Sequence, residues 1–246
     1  MKNQQTVILL SSFCKFRTII IQQKPALEKI TLIVAGGSGK RMNANIPKQF
    51  LSLGGIPVLM HTLNVFRKFD QQMRIILALP ENQLLTWQQL CRQYGCTVDH
   101  EIRQGGETRF HTIRNCLEII PGHCLVAVHD GVRPLVSLET IGRCFDTARK
   151  FGNAVPCIEI PETLRKITGK GNIQVDRSLY RLIQTPQVFD SNILKKAYLQ
   201  KYRKRYTDDA GVVEDMGYTI NLVDGNPENI KITYEKDLKM AASLLE

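Results

Sequence analysis

No stretch of this sequence stays apolar for the ~20 residues that a bilayer-crossing helix needs. The seven cysteines (Cys14, Cys91, Cys96, Cys116, Cys124, Cys144 and Cys157) include no CxxC pair, and their odd number argues against a disulfide scaffold. Several lie in apolar runs, Cys124 in HCLVAVHD for example. Buried free thiols in a reducing cytoplasm are therefore preferred to disulfides or a zinc site. Internal repeats and low-complexity linkers are also lacking. At 43% apolar and 23% charged residues, wholesale disorder and collagen-like sequence are excluded. Acidic residues are the scarcer charge, 23 against 33 Lys and Arg, for a net +10. That excess suggests polyanionic partners: nucleic acid, an anionic membrane, or small phosphorylated ligands.

The 246 residues can form one large α/β domain or two small ones. Residues 1–29 imitate a signal peptide only loosely. Ser11 and Ser12 interrupt the apolar run, Lys15 and Arg17 follow it, and no small-x-small cleavage site is present. We expect a poorly ordered or loosely docked extension, with a targeting segment as the alternative. Residues 1–30 carry five basic residues against one acidic, so much of the charge excess lies there.

Beyond the extension, apolar periodicity predicts strands at 30–35, 73–79, 124–129 and 153–158. It predicts helices at 56–70, 83–94, 108–119 and 138–151. Alternation with short connections implies an α/β fold with a mostly parallel sheet and helices on both faces. The rhythm breaks at 159–180, where Pro161, Gly169 and Gly171 punctuate ITGKGNIQV. That segment reads as a β-hairpin arm projecting from the core, at about 157–180. Helices at 192–201 and 208–217, strands at 218–224 and 229–233, and a helix at 234–246 complete the reading. A core at 30–246 with one arm fits better than two domains.

The segment VAGGSGKRMNANIPKQF, residues 34–50, follows the first strand directly. Gly36, Gly37 and Gly39 let backbone N–H groups approach an anion, and Lys40, Arg41 and Lys48 add cations. Such a loop lies at the carboxyl end of a strand, where α/β sheets bind ligands. It is neither a Walker A loop, which needs Gly and Ser or Thr where Val34 and Arg41 stand, nor a GxGxxG fingerprint, which needs Gly where Met42 stands. Phosphate binding is preferred to a plain turn.

AGGSGKRM followed by PKQF resembles the signature of nucleotidyltransferases that activate sugars and polyols. Downstream come GGETRFHTI (105–113), VHDGVRP (128–134), ETLRK (162–166), DRSLYRLIQTPQVF (176–189), TDDAGVVEDMGY (207–218) and NIKIT (229–233). Together these resemble the 2-C-methyl-D-erythritol 4-phosphate cytidylyltransferase family of polyol-phosphate cytidylyltransferases, in order from about residue 30 to the end. The resemblance implies a Rossmann-like nucleotidyltransferase fold. It also implies a reaction of the non-mevalonate isoprenoid pathway, in which a polyol phosphate attacks the α-phosphorus of CTP and pyrophosphate leaves. An ionised acceptor phosphate needs no general base, so catalysis rests on positioning and charge stabilisation.

On this resemblance Arg41 and Lys48 stabilise the transition state, while the backbone of Ala35, Gly36 and Gly37 lines the nucleotide site. Gly106 and Thr112 fall at the cytosine and ribose. Glu107 stands beside Gly106 where the family often has Asp. Asp130, at the end of an apolar strand, holds Mg²⁺ on the triphosphate; a turn cap is the plainer reading. Thr163, Arg177 and Lys231 match the acceptor side, Arg177 and Lys231 positioning the acceptor phosphate. The arm crosses to a second subunit, implying a homodimer with composite sites. PCIEIPETLRK holds two residues more than the pattern before Glu162 and Thr163.

Other residues receive plainer readings. Lys40 is a solvated neighbour or a phosphate contact, and Arg133 holds its loop or reaches the nucleotide. His129 points away from Asp130 and packs; His111 lies on a helix surface. Asp208 and Asp209 read first as a helix cap, and Thr185 as a residue that fixes the chain near the site. Cys116 and Cys124 have no visible catalytic partner. Ribitol 5-phosphate is the rival acceptor, but TDDAGVVE is closer to the methylerythritol enzymes. Nucleic-acid binding, suggested by KKAYLQKYRKRY (195–206), is the alternative of another class; a basic helical face is the commoner explanation.

Overall fold

The computed structural model describes residues 27–36 and 46–245. All but the last three residues of the extension expected at 1–29 lie outside the described residues, as do Gly37, Lys40 and Arg41.

From its first described strand to the arm the chain alternates. β1 (Lys29–Val34) is followed by a short hairpin, β2 (Ser52–Leu53) and β3 (Ile56–Pro57), and then by α1 (Val58–Phe69). β4 (Arg74–Leu79), α2 (Leu84–Tyr94), β5 (Glu101–Gln104), α3 (Arg109–Leu117), β6 (Leu125–Asp130), α4 (Leu138–Phe151) and β7 (Asn153–Ile158) come next. The arm is the antiparallel pair β8 (Leu164–Thr168) and β9 (Gly171–Val175). β10 (Leu182–Ile183), β11 (Gln187–Asp190), α5 (Ser191–Tyr198), α6 (Asp209–Glu214), β12 (Leu222–Asp224) and α7 (Glu235–Ser243) return the chain to the core.

The main sheet runs β10-β7-β11-β6-β1-β4-β5, with β12 on the other edge of β7. Among the described residues only β10 and β11 run against the common direction, so the sheet is mostly parallel. Nearly every residue of β1, β4 and β6 is buried, as in strands covered on both faces. Strand periodicity sends alternate side chains to opposite faces. Ile33, Leu77 and Ala127 pack with Leu63, Phe66, Trp87 and Phe145 of α1, α2 and α4. Leu32, Ile76 and Val126 pack with Phe110, Ile113, Tyr198 and Val213 of α3, α5 and α6. The long helix α4 has the bounds its sequence predicts. Ser137 accepts the Thr140 N–H at its start, and Gly152 takes φ +86° at its end, where a side chain would be strained.

Several segments differ from the sequence reading. Residues 229–233 form no strand; Ile232 N–H donates to the Val132 carbonyl, while Asn229 and Ile230 N–H groups make local turns to the Asn226 and Glu228 carbonyls. β2, β3, β5, β10 and β11 were not expected, and β3 takes the first two residues of the helix expected at 56–70. β11 continues the line of β10 with two extra residues between them, since Ile183 faces Cys157 while Val188 faces Ala154. Gln184 N–H still donates to the Pro156 carbonyl of β7, and the bulge then carries Thr185 toward the end of β6, a usual role for a bulge beside a site.

Candidate active site

The carboxyl ends of β1, β4 and β6 meet in one layer. Ala35 N–H donates to the Ala78 carbonyl, Gly131 N–H to Val34, and Gly105 N–H to Leu79. A cavity opens above them, lined by Ala35, Gly36, Lys48, Gly105, Gly106, Glu107, Arg109, Thr112, Asp130 and Lys231 among others. Ala35, Gly36, Lys48, Gly106, Thr112, Asp130 and Lys231 were all expected from sequence. Gly37 and Arg41 lie outside the described residues.

Local folding explains how each is placed. Pro47 starts a 3₁₀ turn at Lys48–Phe50 that buries Lys48 at the cavity wall. Gln49 in the same turn donates to the Ala35 carbonyl (2.8 Å) and to Gln83 Oε1 (2.6 Å), tying the turn to β1. On the opposite wall the Gly106 N–H donates to Thr112 Oγ1 at 2.9 Å. A Cβ on Gly106 would stand 2.8 Å from the Cβ of His111, so glycine is required for that approach. Thr108 caps α3 by accepting the His111 N–H. His111 is not a plain surface residue: its Nδ1 lies 2.9 Å from Thr108 Oγ1 and its ring packs on Phe110 and Tyr202.

Asp130 ends β6 with only 8% of its surface exposed. Lys231 Nζ stands 2.9 Å from its carboxylate, Arg133 Nε 3.3 Å and Arg109 Nε 3.8 Å. Burial acts to raise the Asp130 pKa, but the charges of Arg109, Lys231 and Arg133 outweigh it and hold the carboxyl well below the usual range. Arg133 also donates to the Asn229 carbonyl at 2.7 Å, which fixes the segment carrying Lys231. The Asp130 N–H donates to Thr185 Oγ1 (3.1 Å), the anchoring expected of Thr185. His129 faces away, fully buried with its ring edge-on to Phe66.

The two acids of TDDAG divide their labour. Asp208 caps α6 through the Gly211 N–H. Asp209 is fully buried and receives both terminal nitrogens of Arg109, at 2.8 and 2.6 Å, and the Tyr198 hydroxyl at 2.6 Å. Burial acts to lower the Arg109 pKa, yet the Asp209 charge raises it overall. Neither residue was given this role from sequence. A signal existed: Arg109 opens α3, where the helix dipole disfavours a cation, so it needs a carboxylate from elsewhere.

Two expected acceptor residues do not share this cavity within the chain. Thr163 is exposed on the arm, and Arg177, in the turn after β9, donates to the Pro161 carbonyl beside a separate depression near Cys157 and Asp224. Among the described residues no three His, Cys, Asp or Glu side chains gather into a metal cage. Mg²⁺ is usually held through one or two carboxylates plus substrate phosphates, so a single ionised Asp130 fits an ion carried by a nucleotide.

A mostly parallel sheet, a Gly-rich turn after its first strand, and cations around one carboxylate at the strand ends define a nucleotidyltransferase of the Rossmann-like class. The family model described as 2-C-methyl-D-erythritol 4-phosphate cytidylyltransferase (IspD) matches residues 30–246. A curated protein of that name from Bacteroides thetaiotaomicron is 49% identical over 219 residues, covering 89% of this chain and all of the relative. One from Bacteroides fragilis is 51% identical, covering 88% of this chain and 99% of the relative. The crystal structure of the enzyme of that name from Thermus thermophilus superposes with a TM-score of 0.70 at 31% identity, covering 89% of this chain and 98% of that one. The chain belongs to the 2-C-methyl-D-erythritol 4-phosphate cytidylyltransferase family.

Proposed function

We propose that the cavity above β1, β4 and β6 is where the chain transfers a cytidylyl group from CTP to 2-C-methyl-D-erythritol 4-phosphate, a step of isoprenoid biosynthesis. One observation carries this placement: Asp130, held ionised, shares a cavity at the strand ends with Lys48, Lys231 and the Gly105–Gly106 turn. Two polyanions must meet here, and cations on both sides of one carboxylate lower the cost of bringing them together.

In this reading the backbone of Ala35, Gly36 and Gly37 and the turn at Gly106 and Thr112 hold the nucleotide. Arg41 and Lys48 take the charge that develops on the α-phosphoryl oxygens as the acceptor phosphate oxygen attacks. The bond to the β-phosphate bridging oxygen breaks, and pyrophosphate leaves without a general base. Lys231 and Arg177, with Thr163, orient the acceptor phosphate. Asp130 would hold Mg²⁺, whose contribution is to neutralise the triphosphate. Because Thr163 and Arg177 stand on the arm, the acceptor half of each site belongs to a homodimer with exchanged arms. Ile167, Ile173 and Leu179, large apolar side chains exposed on and just after the hairpin, support a partner surface there. Six unpaired thiols among the described residues support a reducing, cytoplasmic setting.

Pyrophosphate release with CTP, Mg²⁺ and a panel of polyol phosphates tests the reading. Methylerythritol phosphate should be the fastest acceptor. Faster turnover of ribitol 5-phosphate would overturn it, as would nucleic-acid binding at physiological salt without CTP binding.

A further inference from the structure

The reading of Asp130 leaves an electrostatic problem. A carboxylate that is to accept a divalent ion already has three cations within 4 Å. Each cation that settles on it competes with the incoming ion. Lys231 has nearly half of its side chain exposed and can leave toward substrate. Arg133 is partly engaged by the Asn229 carbonyl. Arg109 is the remaining competitor, and its two terminal nitrogens are both taken by Asp209.

We infer that Asp209, which does not line the cavity, is a positioning residue that holds Arg109 off Asp130 and so keeps Asp130 available to a nucleotide-borne divalent cation. This rests on the reading of Asp130 given above. The geometry supports it from three directions. The bidentate pair is shorter by about an ångström than the closest Arg109–Asp130 approach, made from Nε. Asp209 is itself fixed: Tyr198 donates to one carboxylate oxygen, and Gln187 Oε1 accepts the N–H groups of Asp209 and Ala210. Finally, Asp209 has no exposed surface, so its carboxylate depends on Arg109 and Tyr198 rather than on solvent. With Asp209 neutral, the nearest carboxylate in reach of the Arg109 charge is Asp130.

Calorimetric titration of the full chain with CTP, in Mg²⁺ and again in EDTA, gives the Mg²⁺-dependent gain in affinity. Asp209→Asn should cut that gain by ~10-fold or more and leave the EDTA affinity unchanged. The double variant Arg109→Gln with Asp209→Asn should recover most of the gain, because nothing is left to settle on Asp130. An unchanged gain in folded Asp209→Asn overturns the inference, and so does a double variant as weak as the single one. Should Asp209→Asn not fold, the double variant decides, since it leaves no unpaired charge buried. Asp130→Asn separates the two claims: if it keeps the full gain, the reading of Asp130 falls and this inference with it.

Discussion

Acid should destabilise this protein through His129 while the carboxylate beside it stays ionised. His129 is fully buried in β6, and its hydrogen bonds fix the neutral ring. The Asp130 N–H donates to Thr185 Oγ1, the Thr185 hydroxyl donates to His129 Nδ1 (3.1 Å), and His129 Nε2–H donates to the Arg133 carbonyl (3.0 Å). A proton on Nδ1 would face a hydroxyl already turned toward it. Burial pushes the His129 pKa down to about 4, against the opposing pull of the Arg133 carbonyl. In the unfolded chain the group titrates near 6.5, so between those values the unfolded state binds the proton and the folded state does not. Stability from this group is complete above about pH 6.5 and falls as the pH drops toward 4. The gap amounts to about 3 kcal/mol, of which about 2 kcal/mol is gone by pH 5. Urea unfolding followed through Trp87, the single tryptophan, measures it at steps from pH 7.5 to 5. His129→Gln should be less stable at pH 7.5 but should show a flatter pH dependence. The other four histidines are common to both proteins and cancel. Parallel losses in the two proteins between pH 7 and 5 would refute the reasoning.

Three further outcomes follow from the site. Gly106→Ala would place a Cβ 2.8–3.0 Å from His111 and the Thr112 nitrogen, forcing the first turn of α3 outward. It should cost roughly 1–3 kcal/mol and raise the KM for CTP, whereas Gly169→Ala, in open space, should do neither; equal melting and KM in the two variants would refute this. Lys48→Ala should lower kcat on the order of 10²-fold, read by pyrophosphate release, because it removes a charge contact used most in the transition state. Mixing Lys48→Ala chains with Arg177→Ala chains should restore roughly a quarter of wild-type activity, since half the dimers are mixed and each holds one intact site. Absence of recovery after subunit exchange would rule out arms acting in trans.

Legibility in the sequence tracks how locally each feature is determined. β1, β4 and β6 are continuous apolar runs, and α4 carries its own start and stop signals in Ser137 and Gly152, so their bounds were readable within a residue or two. β11 was not, because QVFD is four residues long and becomes a strand only by inserting between β6 and β7. Residues 229–233 mislead in the other direction. Their β-branched side chains suit a strand, but Asn229 turns inward to the Thr185 carbonyl and takes the backbone out of any ladder.

The same distinction applies to the chemistry. Asp130 could be singled out because a carboxylate closing an apolar strand is a local pattern, and Gly106 through the resemblance of GGETRFHTI to the family's motif. What sets the charge state of Asp130 is not local. Arg109 comes from α3, Arg133 from the following turn, and Lys231 from a segment about a hundred residues away; Asp209, which binds Arg109, is equally far from it in sequence. A motif reading assigns one role per residue and cannot sum four charges that meet only in the fold. It therefore finds the carboxylate and misses the balance around it. That balance decides whether Asp130 is a ligand or merely a salt-bridge partner, because a carboxylate surrounded by three unopposed cations has little affinity left for a fourth. Asp209 removes one of the three from competition. The position of a buried acid outside the cavity thus bears on the chemistry inside it as directly as the residues that line it.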